Sequence, residues 1–401
     1  MSPTMRALLL DADAKTASVQ EIDVPKPGHG EVLIRVKAIA LNPVDALYVF
    51  NPLGRSGRTV GSDFAGIVVG DGGGDVAVDL DPGTRVAGFL QGACSSNDRP
   101  GAFAEYLVCP ADLLWKIPSS VSFEEAATVS LCALTAAQAL FYRLQLPAPF
   151  EWDPVDAVDN RNSPALELQK DKPLYIFIYG ASTSVALYAA QLIQQFSQSS
   201  GRSIKLIGSA SRSKFSLLQS EPYLYDALVD YRDGDWQQQA WRLTGSVGFH
   251  YAFDCISEGS TVKNIVSMLQ AGGKIAIVRS KEGGAWDFEG IPPHVEPMYG
   301  AVWEGLGVQI QYQNLVVHAP ADARKFAVVF YKWLSNGGKL QGNPVRRMPG
   351  GLDKVVQDGF MLMGSGSMQD RVKDRVEPWM RPVSAEKLVY MINEDKHVST
   401  D

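Results

Sequence analysis

Short apolar segments separated by Gly and Pro dominate the first 110 residues of the chain. The segments RALLL, EVLIRVKAIAL, FAGIVVG, TRVAGFL and AFAEYLVC are rich in β-branched residues and end at turn-forming residues. Runs of this kind predict strands joined by tight connections. Residues 5–110 are therefore predicted to form a compact β-rich unit.

A helical pattern follows in SFEEAATVSLCALTAAQALFYRL, residues 122–144. Ser122 stands before the apolar positions and Glu125 follows three residues later, which is the spacing of a capping box. The sequence therefore predicts one helix that starts at Ser122. The next stretch, 146–173, contains five prolines and many polar residues, and it is predicted to be a long surface loop.

From Leu174 onward, strand and helix patterns alternate. LYIFIYG has the continuous apolar character of a buried strand, and TSVALYAAQLIQQFSQS places its apolar residues on one helical face. The alternation continues to GGKIAIVRS and indicates a doubly wound parallel sheet. Two further helices (ADARKFAVVFYKWLSN and GLDKVVQDGFMLM) and a late strand (EKLVYMI) are predicted after it.

Composition narrows the class of protein. The 401 residues are 46% hydrophobic and 20% charged, which is typical of a globular protein of two or three domains and excludes a fibrous or disordered chain. With 37 Lys and Arg against 44 Asp and Glu, the net charge of −7 argues against a general nucleic-acid binder. No apolar run approaches the roughly 20 residues of a membrane span, so a soluble cytoplasmic protein without membrane partners is expected.

A candidate nucleotide site lies at the turn after the strand LYIFIY. The turn leads directly into a helix, where free N–H groups and the helix dipole favour phosphate. The Gly-x-Gly-x-x-Gly positions read Gly180, Ser182 and Val185, so only the first is glycine. Hydroxyls of Ser182, Thr183 and Ser184 are candidate phosphate ligands; the alternative is an ordinary turn whose serines cap the helix.

The next strand indicates which dinucleotide would bind. In NAD-specific folds it ends in Asp or Glu, which holds the ribose hydroxyls. Here it ends in GSASRSK, without a carboxylate, and the predicted phosphate ligands are Ser211, Arg212, Ser213 and Lys214, with Tyr231 after the following strand. Charge-assisted hydrogen bonds from such residues suit a 2′-phosphate and favour NADPH over NADH. A solvated basic turn is the alternative.

The order of several motifs resembles the medium-chain dehydrogenase/reductase superfamily. The motifs are LNPVD (41–45), GSDFAGIV (61–68), GTRVAGF (83–89), GAFAEY (101–106), the Ser/Thr-rich turn after Gly180, and SAEKLVY (384–390). Within that superfamily the chain resembles the zinc-free quinone-oxidoreductase and enoyl-reductase branch. It is similar in particular to fungal trans-acting enoyl reductases that serve highly reducing polyketide synthases, of the lovastatin-pathway type.

The resemblance implies a fold and an activity. The fold is an α/β architecture with a GroES-like β-rich catalytic domain (1–129 and 314–401) and an inserted Rossmann NADPH-binding domain (130–313). The implied activity is NADPH-dependent reduction of an α,β-unsaturated polyketide thioester carried by a synthase acyl carrier domain, in secondary-metabolite biosynthesis. Two alternatives stay open, a stand-alone enone or quinone reductase and a non-redox cyclase or partner protein with the same fold.

Zinc is not expected. Zinc-dependent relatives use a Cys near the first motif, a Gly-His-Glu and a Cys-rich lobe, and tetrahedral zinc requires such thiolate and imidazole ligands. Here those places read LNPVD and Gly61-Ser62-Asp63, and the lobe region offers only Cys94 and Cys109. The four cysteines contain no C-x-x-C pair and suggest no disulfide framework either. Hydride transfer to a conjugated acceptor needs no Lewis acid, but it needs hydrogen-bond donors for the enolate.

The resemblance also assigns residues. Asn42, Asp45 and Thr135 are the candidate catalytic groups, although each could instead have a local structural role. Val44, Asp45, Ala46 and Leu47 would border the nicotinamide, Ser182, Thr183, Ser184 and Val185 would hold the pyrophosphate, and Ser384 and Ala385 would close the site. The acyl tunnel would be lined by Leu131, Cys132, Ala133, Leu134, Thr135, Gln138, Leu306, Gly307, Val308, Gln309 and Ile310, which by default are core residues.

Two further observations bear on function. Enoyl reductases of this group can carry a Lys two residues after the Asp of the first motif, where this chain has Leu47, and this departure motivates the non-redox alternative. Arg371, Lys373 and Arg375 are candidates for docking an acidic carrier domain. Interleaved Asp370, Asp374 and Glu377 instead favour a neutral solvated segment.

Overall fold

The computed structural model describes residues 3–73, 80–152, 172–371 and 375–392, and the chain divides into two compact units. Unit 1 comprises Met1–Leu131, Leu306–Ala319 and Tyr331–Asp401, and unit 2 comprises Cys132–Gly305 and Pro320–Phe330. These limits differ from the predicted 130–313 insertion on its C-terminal side. Residues 320–330 belong to unit 2 because Phe326 and Phe330 pack there against Phe150, with ring centroids 5.7 and 5.9 Å away.

Unit 1 is mainly antiparallel sheet. Its strands are β1 (Thr4–Asp11), β2 (Thr16–Asp23), β3 (Glu31–Ala40), β4 (Asp63–Asp71), β5 (Arg85–Phe89), β6 (Tyr106–Pro110), β7 (Trp115–Lys116), β14 (Ile310–Gln311), β15 (Val316–Val317), β16 (Val345–Met348) and β17 (Lys387–Met391). The main sheet has the order β16-β17-β3-β4-β5-β7, with β6 also paired to β3. The pairs β1–β2 and β14–β15 form separate hairpins.

The alternation in β3 explains why the sheet has a buried face. Val32, Ile34 and Val36 are fully buried while the residues between them are only half-buried. A period of two is the signature of a sheet with one face against the core. The strand segments predicted between residues 5 and 110 therefore fold as expected.

Unit 2 contains a six-stranded sheet in which every pairing is parallel. The strands are β8 (Leu174–Tyr179), β9 (Ile204–Ser209), β10 (Ala227–Val229), β11 (Phe249–Asp254), β12 (Leu269–Ile277) and β13 (Met298–Tyr299). Their order, β10-β9-β8-β11-β12-β13, is that of a doubly wound nucleotide-binding sheet, with the switch point between β8 and β11. The predicted doubly wound parallel sheet is confirmed.

Helices connect these strands. They are α1 (Pro43–Phe50), α2 (Phe123–Ala127), α3 (Ser130–Ala137), α4 (Ser184–Ser200), α5 (Phe215–Gln219), α6 (Trp236–Arg242), α7 (Thr261–Val266), α8 (Ala321–Ser335) and α9 (Met361–Met363). Short 3₁₀ turns cover Ala111–Leu113, Arg212–Lys214, Val302–Leu306, Gly351–Lys354 and Pro378–Met380, and π-helical turns cover Gln138–Arg143 and Val355–Phe360.

The predicted single helix over 122–144 is wrong in one respect. Its start is confirmed, because Ser122 and Glu125 form the reciprocal capping box. However, the stretch is divided into α2, α3 and a π-helical turn. Thr128 ends α2 by donating its hydroxyl to the carbonyl of Glu125 (2.7 Å) while accepting the Asn343 N–H (3.0 Å), a local side-chain bond that competes with helix continuation.

Two other segments with a helical pattern are shorter or less regular than expected. STVKNIVSMLQ (260–270), one of the helical segments that alternate with strands after Leu174, forms α7 only to Val266, and Leu269 already belongs to β12. GLDKVVQDGFMLM passes from a 3₁₀ turn through a π-helical turn into α9. Gly350 and Gly351 both have positive φ at the start of this segment, and Gly359 lies inside the π-helical turn, so glycines interrupt a regular α-helix. Only residues 146–152 and 172–173 of the predicted Pro-rich loop lie within the described residues.

Candidate functional site

The turn after β8 is shaped by Gly180. Its φ of +72° lies in the left-handed region, and a Cβ there would come within 2.9 Å of the Ile256 side chain. The Gly180 N–H bonds the Ser209 hydroxyl (3.2 Å) and the Ala181 N–H bonds the Ser209 carbonyl (2.8 Å). Only glycine fits this position without strain, so the single glycine of the weak fingerprint is the one that the turn requires.

Helix α4 begins immediately after this turn. Thr183 is its N-cap and accepts the Ala186 N–H at 3.3 Å. The Cys255 thiol is also hydrogen-bonded to Thr183, although burial raises the pKa of that thiol well above its usual range. Ser182, Ser184 and Val185 are half-buried at the start of the helix. The arrangement fits a dinucleotide pyrophosphate, because a helix N-terminus directs N–H groups and a positive partial charge at an anion.

The predicted adenosine end gathers at the ends of β9 and β10. Ser211 and Tyr231 bring their hydroxyls within 3.5 Å of each other. The Arg212 side chain is 71% exposed, while Ser213 is exposed and Lys214 half-buried. Arg232, which sequence reasoning did not select, lies with its guanidinium 5.0 Å from the centre of the Tyr231 ring. The structure therefore brings the predicted phosphate ligands of this end together.

Two carboxylates that the sequence analysis did not place also lie here. Asp230 accepts the N–H groups of Arg212 (3.2 Å) and Arg232 (3.1 Å), and Asp233 pairs with the Arg212 guanidinium at 2.7 Å. Burial opposes ionisation of Asp230, but these N–H groups and the two guanidiniums hold its pKa below the usual value. The sequence predicts no carboxylate at this site. That holds for the end of β9, but the neighbouring strand β10 places Asp230 beside the end of β9.

Thr135 lines a small cavity within unit 2. The cavity is bounded by Thr135, Gln138, Ala139, Arg143, Phe253, Ile277, Val278, Met298 and Gly300. Ile277 ends β12 and Phe253 lies near the end of β11, so the cavity lies at the carboxyl edge of the parallel sheet, where ligands bind in this architecture. Thr135 and Gln138 are thus neighbours at one cavity, and their role on the substrate side stays a prediction.

Arg143 in this cavity wall was missed. It forms an ion pair with Glu304 and donates its Nε–H to the Tyr299 carbonyl at 3.1 Å. A Cβ on Gly300 would lie 3.0 Å from the Arg143 Nε. The sequence did contain a signal for Arg143, because it is a charged residue in the last turn of a predicted helix that is otherwise mostly apolar.

Asn42 and Asp45 meet in a buried polar cluster of unit 1. The Asn42 N–H donates to Asp45 Oδ2 (2.8 Å), and the Ser62 hydroxyl donates to Asp45 Oδ1 (2.7 Å). The Asn42 side-chain amide donates to Ser62 Oγ (3.2 Å) and Asp63 Oδ2 (2.9 Å). Burial, opposed by these hydrogen bonds, raises the pKa of Asp45 to about 7. The carboxyl can therefore gain and lose a proton near neutrality.

Other residues predicted for the nicotinamide side lie on or near this cluster. Val44, Ala46 and Leu47 share helix α1 with Asp45, and Ala46 is fully buried while Val44 and Leu47 are half-buried. Ser384 is exposed, and Ala385 adopts φ +55°, a left-handed conformation that few non-glycine residues take. Local backbone strain of this kind is frequent at functional sites.

The predicted acyl-tunnel residues are divided between the two units. Cys132, Ala133, Leu134 and Gln138 are buried in unit 2, and Leu131 is buried in unit 1. Leu306 and Ile310 are buried in unit 1, whereas Gly307, Val308 and Gln309 are exposed. Their role in a tunnel stays a prediction.

The candidate docking cations are partly neutralised. Arg375 forms hydrogen bonds of 3.0 and 2.6 Å with both carboxylate oxygens of Glu377, and it lies 3.8 Å from Asp358. Lys373 and Asp374 fall outside the described residues. The pairing of Arg375 agrees with the neutral, solvated alternative for this segment.

The described residues also bear on metal and membrane binding. Within residues 3–73, 80–152, 172–371 and 375–392, no three His, Cys, Asp or Glu side chains are placed to hold a metal ion together. In the same described residues, no helix has the length and apolar character to cross a bilayer. All four cysteines are buried and carry free thiols.

Comparison with known proteins extends these observations. Residues 28–119 match the alcohol dehydrogenase GroES-like domain, which confirms that the chain contains a GroES-like domain. The chain is 30% identical over 397 residues to trans-enoyl reductase ACTTS2 of Alternaria alternata, covering 97% of this chain and 99% of that protein. It is 31% identical over 360 residues to trans-enoyl reductase resD of Aspergillus sclerotiorum, covering 88% and 94%.

Solved structures share the fold. The CurK enoyl reductase matches with a TM-score of 0.66 at 18% identity, covering 96% of this chain and 99% of that one. Mycobacterial Rv1454c, solved in complex with NADPH, matches with a TM-score of 0.62 at 18% identity, covering 97% and 100%. At such identities the likeness concerns architecture alone.

Proposed function

The chain belongs to the trans-enoyl reductase family of the medium-chain dehydrogenase/reductase superfamily, and from this premise we propose that it is an NADPH-dependent enoyl reductase acting on an α,β-unsaturated polyketide thioester. Membership in this family makes the protein an oxidoreductase that acts on a conjugated C=C bond. NADPH as the cofactor, the polyketide thioester as the substrate and a carrier domain as the partner are proposed.

The adenosine end carries the proposal of NADPH. Ser211, Arg212, Lys214 and Tyr231 offer two hydroxyls and two cations at the ends of β9 and β10. Asp230 stands after β10 and not at the end of β9, where NAD-specific folds carry the ribose-binding carboxylate, and each of its oxygens accepts a backbone N–H group. A 2′-phosphate would exchange with Asp233 for the Arg212 guanidinium, which is exposed enough to turn toward it.

The reaction assigns tasks to several residues. When bound, reduced nicotinamide supplies a hydride to the β carbon of the conjugated thioester. Thr135, at the unit 2 cavity, would donate a hydrogen bond to the thioester carbonyl and so stabilise the enolate charge. Asn42 and Asp45 would hold the first turn of α1, and with it Val44 to Leu47, in place. Leu47 supplies no proton, so protonation of the α carbon falls to water or a neighbouring hydroxyl such as Tyr48.

A partner follows from the proposed substrate. A polyketide intermediate reaches a trans-acting enzyme as a thioester on an acyl carrier domain, and two similar proteins are named trans-enoyl reductases. We propose cytoplasmic action on such a carrier-bound chain. The second candidate is a stand-alone enone or quinone reductase, which the neutral pairing of Arg375 with Glu377 favours, because that pairing weakens a docking role for this cation.

Cofactor choice is tested by substitution at the adenosine end. Arg212→Ala and Lys214→Ala should each raise KM for NADPH by about ten-fold or more, the worth of a charge-assisted hydrogen bond, and leave KM for NADH nearly unchanged. Arg242→Ala, an exposed cation on α6, is the matched control. Equal effects on both cofactors would contradict NADPH selectivity.

Substrate class is tested by mass and by kinetics. Reduction of an acyl-pantetheine or carrier-bound enoyl thioester should yield a product two hydrogens heavier with one NADPH oxidised per product. Better turnover of soluble enones would support the stand-alone reductase, and product formation without NADPH oxidation would support the non-redox alternative. Zinc analysis of the purified protein, with activity unchanged by chelator, tests the expected absence of metal.

A further inference from the structure

Lys387 is a buried cation that the sequence analysis did not assign a role. It begins β17, three residues after Ser384, and its side chain is 2% exposed. Its Nζ donates to Asp63 Oδ2 at 2.5 Å and to the Thr128 carbonyl at 3.4 Å. Burying an ammonium is costly unless an opposite charge and hydrogen bonds compensate it, and here the Asp63 carboxylate provides both.

Asp63 joins three parts of unit 1. Its Oδ2 accepts both the Lys387 ammonium and the Asn42 amide (2.9 Å), and its Oδ1 accepts the Leu131 N–H (2.8 Å). Leu131 stands in the first turn of α3, and Asn42 is the N-cap of α1. One carboxylate, fully buried, therefore links β17 to the starts of two helices.

The cluster continues from Asn42 to Asp45. Ionisable groups approach Asp45 from β4 (Asp63), from β17 (Lys387) and from the loop at Cys94, whose Sγ lies 4.0 Å from Asp45 Oδ1. The negative charge of Asp63 opposes ionisation of Asp45, and the positive charge of Lys387 favours it. Both charges belong to the buried ion pair of Lys387 and Asp63, so this pair bears on the ionisation of Asp45.

We propose that Lys387 is a positioning residue of the reductase, whose buried ammonium fixes Asp63 and, through Asn42 and Ser62, holds the first turn of α1 and the Asp45 carboxyl in place. The inference rests on the proposed function in one respect, namely that residues 44–47 of α1 border the nicotinamide. The hydrogen-bonded link itself lies entirely within unit 1.

The test measures Asp45 directly. Carboxyl ¹³C NMR of the full chain, assigned by the signal that Asp45→Asn removes, gives its titration in wild type, Lys387→Met and the double variant Asp63→Asn/Lys387→Met. Loss of the ammonium alone should move the Asp45 titration upward by about one pH unit. The double variant removes opposing charges together and should return close to wild type. Lys354→Met, an exposed lysine of unit 1, should leave it unchanged.

The pH profile of turnover supplies a second readout. A limb of the kcat/KM profile near neutral pH should shift in the same direction and by the same amount as the NMR titration. Hydrogen exchange at the Asn42 and Leu131 amides should accelerate about ten-fold in the double variant as the link loosens. This measurement carries the test if Lys387→Met fails to fold, because the double variant leaves no lone buried charge.

Unchanged Asp45 titration in Lys387→Met, or unchanged exchange at Asn42 and Leu131 in the double variant, would overturn the proposal. Neither readout uses cofactor or substrate. If the Asp45 titration shifts while the wild-type protein oxidises no NADPH with any enoyl thioester, the role of Lys387 within unit 1 stands and the proposed function fails.

Discussion

Two ion pairs of this protein differ in how far their side chains are exposed to water. At the adenosine end of unit 2, Arg212 is 71% exposed and its pairing with Asp233 competes with solvent. In unit 1, the side chains of Lys387 and Asp63 are 2% and 0% exposed. If one of these two groups loses the other as its partner, water cannot take the partner's place. An exposed pair can change partners when an anionic ligand arrives, whereas a buried pair serves as fixed structure.

The largest predicted effect comes from breaking the buried pair on one side. Lys387→Met should lower the free energy of unfolding by about 3–5 kcal/mol, because an uncompensated carboxylate remains in the core. Lys205→Met is the matched change at an exposed pair, where Lys205 lies 2.7 Å from Asp226, and should cost less than about 1 kcal/mol. Denaturant unfolding of both variants measures the contrast. Similar losses would mean that burial does not distinguish the two pairs.

The second prediction concerns pH and Asp45. Its pKa is about 7 in the folded chain against the ordinary aspartate value of 3.8, so the folded state keeps a proton that the unfolded state loses. The stability contributed by this group is complete below about pH 4 and is lost as pH rises toward 7.

Asp45→Asn should therefore flatten the decline of unfolding free energy between about pH 4 and 7, and the variant should gain relative to wild type across that window. Unfolding at several pH values across the window measures it, with exposed Asp13→Asn as control. Parallel pH curves for wild type and Asp45→Asn would contradict the assignment.

A third, smaller effect is expected at the nucleotide turn. Gly180→Ala places a Cβ at φ +72° and 2.9 Å from Ile256, a strain of order 1–3 kcal/mol that should weaken NADPH binding. Gly201→Ala, at φ +65° after the other end of α4, has no heavy atom within 4 Å of the added Cβ. It should reduce stability modestly and leave the Kd for NADPH unchanged, as measured by fluorescence titration.

The smallest predicted effect concerns the exposed ion pair of Arg212 and Asp233. Asp233→Asn releases the Arg212 guanidinium from its carboxylate and should lower KM for NADPH about two- to three-fold, since an exposed pair is worth less than about 1 kcal/mol. The gain should shrink at high salt, where surface charges are screened. A raised KM would indicate that Asp233 orients Arg212 for the phosphate.

The sequence predicted best what depends on neighbouring residues. The strand at EVLIRVKAIAL (β3), the continuous apolar run of β8 and the cap at Ser122 depend on local sequence, and all three appear where the pattern places them. The location of Ser211 to Lys214 was also predictable, because this stretch follows β9 and the strand order then fixes its place at the sheet edge, while its role toward a phosphate stays a prediction.

Contacts between distant residues were not predictable in the same way. Lys387 and Asp63 are separated by 324 positions, and neither strand pattern reveals that a lysine at the start of β17 would face inward. The signal that was available is a charged residue opening the otherwise apolar strand KLVYM. Asp230 was missed for a related reason, because it lies at the end of β10 and reaches Arg212 only through the parallel pairing of β9 and β10.

The burial of all four cysteines has a practical consequence. Cys94, Cys109, Cys132 and Cys255 are at most 8% exposed, so maleimide reagents should label the native protein slowly. A cysteine introduced at an exposed position, such as Gln238 in unit 2 or Lys354 in unit 1, would react first without removal of the native thiols. Pairs of such labels would let fluorescence energy transfer follow the two units as cofactor and substrate bind.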